Sequence, residues 1–156
     1  MMYPHLLSLH SLVRWLVLAS LVFAILRAFL GWRGKRAFTK FDDSVRHWTA
    51  TIAHVQLTLG IWLYGISPII AYFWSNFKTA VKIRDVRFFG MEHSLMMFVA
   101  VVLITIGSIK AKRQNDDNQK FSTMAIWFGI ALLIILSSVP WLFSPLVSRP
   151  LWRGWN

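Results

Sequence analysis

Long apolar runs broken by short charged clusters dominate the chain, and residues 48–74 and 121–143 contain no charged side chain at all. Each such stretch is long enough to cross about 30 Å of hydrocarbon at roughly 1.5 Å per helical residue. The pattern predicts four transmembrane helices, at 6–30, 46–72, 88–109 and 121–143, within one all-α domain covering 1–156. Ser67-Pro68 offers an early end to the second, because proline has no amide hydrogen to continue the ladder. The first span is expected to remain as a membrane helix, since no basic region precedes it and no small-residue cleavage site follows. Four alternating spans with short connections most simply form an integral membrane four-helix bundle, up-down-up-down, with helices one and three parallel on a diagonal. The linker 75–87 is amphipathic enough for a short surface helix, 114–119 reads as a polar turn, and the tail beyond Pro145 is expected to lie extended along the interface.

Composition strengthens the membrane reading: 56% of the 156 residues are hydrophobic and only 15% are charged. That excludes a secreted, cytosolic or disordered protein. A net charge of +11 would suggest nucleic acid in a soluble domain, yet the Lys and Arg sit at the ends of apolar runs, where they orient helices and meet anionic headgroups. No nucleic acid is expected as a partner. Ten basic residues (Arg27, Arg33, Lys35, Arg36, Lys40, Arg46, Lys110, Lys112, Arg113, Lys120) fall on one side and six (Lys78, Lys82, Arg84, Arg87, Arg149, Arg153) on the other. By the positive-inside tendency, both termini are periplasmic in a bacterial inner membrane. Trp32 and Trp48 on one side, with Trp74, Trp141, Trp152 and Trp155 on the other, suit interfacial belts. Zero cysteines exclude disulfides, thiolate metal sites and covalent c-type haem.

Ionisable groups inside apolar spans are costly and therefore informative. They are His10, Arg14, His54, Glu92 and His93, with Gln56 as an uncharged companion; His5 and His47 belong to the interfaces. His10-Ser11-Leu12 and His93-Ser94-Leu95 sit near the starts of the two parallel helices, and each is followed, seventeen residues after its histidine, by a basic residue, Arg27 or Lys110. An internal repeat and chance both explain the match, and either way the two imidazoles should lie within about 5 Å of one depth. Two such imidazoles on facing helices suit axial ligation of a b-type haem iron, with Trp15, Phe89, Met96, Met97 and Phe98 as an apolar slot. The same residues are equally ordinary helix packing. Arg14 could pair with a haem propionate or with Glu92, or simply snorkel.

His54 is placed 15 to 20 Å along the bundle from the other two if the second helix is full length, too far to share their iron. It would then serve a second haem, with Met124 as a weak partner, or a quinone pocket in which His54 and Gln56 donate to a carbonyl. If the helix stops at Ser67, a His54 to His93 pairing becomes conceivable. A third reading makes His54 an interhelical hydrogen-bonder. Gly60, Gly65, Gly90, Gly107 and Gly129 are expected to permit close helix approach.

The segments LHSLVRW around His10 and Arg14, HVQLTLG from His54 to Gly60, MEH ending at His93, and the Pro140-Trp141 and Arg149-Pro150-Leu151-Trp152 tail resemble a group of small four-span, cytochrome b-like membrane proteins of the Bacteroidetes, over the whole chain. The resemblance implies an inner-membrane bundle, haem b, and His10, His54 and His93 as its marked histidines. The expected function is electron transfer in a respiratory membrane, with a quinone and redox partner subunits, rather than stand-alone catalysis. A cofactor-free accessory subunit of a larger membrane complex, or a metal or haem handling protein, are the alternatives.

Overall fold

The computed structural model describes residues 2–141 and is helical almost throughout, with no strand among the described residues. Its elements are α1 (Met2–Arg33), α2 (Lys40–Ile66), α3 (Pro68–Ser75), α4 (Phe77–Ala80), α5 (Arg84–Arg87), a π-helical turn (Phe88–Glu92), α6 (His93–Arg113) and α7 (Asp117–Ser138). Three helices are long and apolar enough to cross a membrane: α1, the continuous run Arg84–Arg113, and α7; a fourth is added if α2 and α3, bent by 59°, count as one span. The expected tail beyond Pro145, and the outer belt residues Trp152 and Trp155, lie outside the described residues.

Local chemistry explains where the helices start and stop. At α2 the Thr39 side chain accepts from the Asp42 amide while Asp42 accepts from the Thr39 amide, a reciprocal capping box that starts the helix six residues before the expected position. Asp116 accepts from the Gln119 amide and caps the start of α7 with that single bond. Pro68 ends α2 at Ile66, as the Ser67-Pro68 pair suggested, and opens α3 as its first residue, where no amide is needed. α7 stops at Ser138, before Pro140 and short of the expected 143. The linker carries two short helical turns, α4 and α5, where one surface helix was expected.

α1 packs against α2 and α7, and α6 packs against α7 and α2, with the α2–α6 seam the most sparsely packed of the four. Small residues in the core, Ala24, Ala28, Ala53, Ala100 and Ala131, bring the helices close around Leu21, Ile104, Met124 and Phe128. Gly107 does what was expected of it, since a Cβ there would lie 2.4 Å from Trp127 Cβ, whereas Gly65 and Gly129 face open space within 4 Å and close no helix pair. One end of the assembly is tied by charge. Asp42, 2% exposed, accepts from Arg27 Nε and Nη2 at 2.9 and 2.7 Å, and Arg46, 5% exposed, donates to Ser108 Oγ at 2.6 Å. These bonds join α1 to α2 and α2 to α6.

Candidate functional site

At the opposite end the helices part around a cavity of about 480 Å³, within the range of about 300–1,000 Å³ usual for ligand pockets. Its lining is mostly apolar and includes His10, Ser11, Arg14, Gln56, Gly60 and His93. The structure therefore brings His10 of α1 and His93 of α6, the two histidines paired from the sequence, to the wall of one cavity, with Arg14.

The π-helical turn sets His93. It adds a residue to one turn and so rotates the register of α6 relative to the segment before it, a distortion common at functional sites. Tyr64 Oη donates to the Gly90 carbonyl at 2.8 Å, satisfying a backbone group within the widened turn. Phe88 and Phe89 pack on the imidazole with ring centroids 5.7 and 6.1 Å away. His93 Nδ1 lies 2.9 Å from the Ser138 carbonyl oxygen. A carbonyl only accepts, so Nδ1 carries the proton and the neutral ring keeps its lone pair on Nε2. That is the arrangement metal-ligating histidines use to hold their orientation.

His10 is held differently. Gln56 Nε2 donates to the His10 carbonyl at 3.0 Å and reaches His10 Nε2 at 3.3 Å, while His10 Nδ1 and Gln56 Oε1 are buried without a hydrogen-bond partner among the described residues. Gly60 leaves room beside the ring: a Cβ there would sit 3.4 Å from His10 Cε1. Arg14 Nη2 is 3.4 Å from Ser11 Oγ, and its guanidinium lies 5.3 Å from the Trp15 ring centroid. Of the options open to Arg14, the pair with Glu92 does not form: Glu92 accepts from Arg87 Nε at 2.6 Å, five residues earlier across the π-turn. Of the expected slot, Phe89, Met97 and Phe98 line the cavity; Trp15 and Met96 do not, and Trp15 meets Trp141 edge-on at 6.2 Å.

His54 lies outside the cavity. It is exposed on the outer face of α2, and its Nε2 is 2.8 Å from Thr105 Oγ1 on α6. Thr105 is twelve residues beyond His93, about 18 Å along the helix, so the break at Ser67 does not bring His54 to His93. The shared His54–Gln56 pocket does not form either: residues two apart on a helix diverge by about 200°, and Gln56 turns inward to His10 while His54 turns out. His47 is exposed beside Trp48. Among the described residues no group of three or more His, Asp or Glu is gathered to hold a bare metal ion. No protein family, curated protein or solved structure matches the chain.

Proposed function

We propose that this chain is an up-down-up-down four-helix bundle of a bacterial inner membrane that holds haem b between His10 and His93 and passes single electrons between a membrane donor and a periplasmic partner. One observation carries the reading. The Ser138 carbonyl fixes the His93 tautomer so that the Nε2 lone pair is left for the cavity that His10 also lines. The residues present fit the group in three further respects. Among the described residues, the buried, unbonded Nδ1 of His10 and the long 3.3 Å contact at its Nε2 leave that ring uncommitted to any strong bond. Arg14 stands at the cavity wall with a charge suited to a propionate, and most of the lining is apolar. When bound, haem supplies one-electron chemistry whose potential depends on its axial ligands and the dryness of its surroundings. In this reading His10 and His93 hold the iron, Ser138 and the π-turn aromatics orient His93, and Arg14 balances charge. The excess of basic residues on the two loops that join the first to the second span and the third to the fourth favours cytoplasmic loops and periplasmic termini.

An absorption spectrum of the detergent-purified chain, oxidised and dithionite-reduced, tests the reading. A low-spin b-type spectrum is expected, lost in His10→Ala and in His93→Ala and retained in His54→Ala. A chain expressed with ample haem that shows no such spectrum, or one whose spectrum survives both cavity variants, would instead support the cofactor-free accessory subunit. The His54–Thr105 bond, a histidine used as an interhelical tie, is the observation that favours that second reading.

A further inference from the structure

The two cavity histidines are held through different ring nitrogens. His93 is held through Nδ1, which donates to the Ser138 carbonyl, and Phe88 and Phe89 pack on its ring. His10 is held through Nε2. The Gln56 side-chain atom 3.0 Å from the His10 carbonyl is the amide nitrogen, since a carbonyl only accepts. That same nitrogen lies 3.3 Å from His10 Nε2, and an amide nitrogen has hydrogens to give but no lone pair to offer, so here Nε2 accepts. The neutral His10 ring then carries its proton on Nδ1, where no acceptor stands among the described residues. Gln56 thus selects the His10 tautomer that keeps a lone pair on Nε2, through a contact that itself engages that lone pair.

The two imidazoles are therefore unequal as ligands. At His10 an iron and the Gln56 amide compete for one lone pair, whereas among the described residues nothing competes at His93 Nε2. The second nitrogen widens the difference. A metal-bound histidine that lacks a partner on its other ring nitrogen loses about 10–100-fold in metal affinity; His93 has that partner in Ser138, and His10 has none among the described residues. Gln56 is also anchored independently of the His10 ring, because its bond to the His10 carbonyl involves only backbone. A His10 ring that leaves the iron therefore returns to a donor already in place.

We propose that His93 is the fixed and His10 the releasable histidine of this cavity, that a neutral diatomic gas of the carbon monoxide class takes the position His10 leaves, and that Gln56 is the positioning residue that receives the displaced ring. The inference rests on the haem reading of the cavity and adds reversible ligand binding to electron transfer. The exchange needs no oxidant, reductant or proton: His10 withdraws its electron pair from the iron, the gas supplies another, and the ring keeps its proton on Nδ1.

The test uses the full chain in detergent micelles and has two readouts. In chain purified without haem, ¹⁵N-histidine NMR should show His10 protonated at Nδ1 and bare at Nε2. Gln56→Met, close in size but without the amide, should turn His10 into a mixture of tautomers while His93 stays unchanged. In haem-loaded, dithionite-reduced chain, carbon monoxide should bind and give a C–O stretching frequency that matches the His10→Ala variant and differs from His93→Ala. Gln56→Met should weaken that binding about tenfold, the weight of one neutral hydrogen bond lost to the released ring. A low-spin spectrum indifferent to carbon monoxide, or a stretching frequency that matches His93→Ala, would overturn the proposal while the haem reading stands. A His10 tautomer and a carbon monoxide affinity both untouched by Gln56→Met would overturn the role of Gln56. No low-spin spectrum in chain expressed with ample haem would overturn the haem reading and this proposal together.

Discussion

Gly90→Ala probes the packing that positions His93. A Cβ on Gly90 would lie 2.5 Å from Phe73 Cγ, against 3.4 Å or more for ordinary contact, so about 0.9 Å must be found at that point. Phe73 has little freedom to provide it. The ring is fully buried, and Trp74 and Phe77 pack edge-on to it at centroid distances of 5.2 and 5.4 Å. Overpacking of this kind costs about 1–3 kcal/mol, partly offset by up to ~1 kcal/mol of improved helix propensity on replacing glycine. A net loss of about 1–2 kcal/mol is expected, with a loosened π-turn one residue pair away from His93. Gly65→Ala is the matched control, because nothing lies within 4 Å of its added Cβ and only the propensity gain remains. The assay is reversible SDS-induced unfolding of the purified protein in mixed micelles, followed by tryptophan fluorescence. Equal stability of the two variants would refute the close approach of α3 to the π-turn, and with it the account of how His93 is set.

Tyr64→Phe removes the 2.8 Å bond to the Gly90 carbonyl, and a loss of about 1 kcal/mol is expected in the same unfolding assay, accompanied by faster amide exchange across 88–92. Asp42→Ala deletes both bonds from Arg27 and the carboxylate half of the α2 capping box together; a loss of about 2–4 kcal/mol is expected, limited because Arg27 is partly exposed and the residue-42 amide still donates to Thr39 Oγ1, and a value under 0.5 kcal/mol would contradict the buried tie. A reporter fused after residue 156 should be active only when the reporter requires the periplasm; activity confined to the cytoplasm would invert the proposed orientation. His47→Ala should leave any haem spectrum unchanged, because that residue is exposed beside Trp48 and far from the cavity.

What was legible from the residues alone follows from the demands of hydrocarbon on a polypeptide backbone. Uncharged runs of helical length declare candidate spans because every amide must be bonded within the segment, and Ser67-Pro68 declares a break because proline cannot contribute. That His10 and His93 would line one cavity was also legible, since similar offsets from the starts of two helices running the same way imply similar height along the bundle. Facing direction was not. In a soluble bundle the polar face of each helix marks the outside, but here the exposed and the buried sides are both apolar, so α1, α6 and α7 carry almost no amphipathic signal. Only tertiary packing decided that His54 turns out to Thr105 while Gln56 turns in to His10. The π-turn was equally hidden: it depends on a hydrogen-bond shift stabilised by Tyr64 from another helix and by Phe73 seated on Gly90. Glu92 pairs with Arg87 rather than with Arg14, because an ion pair is chosen by the distance between side chains and not by their company in the sequence.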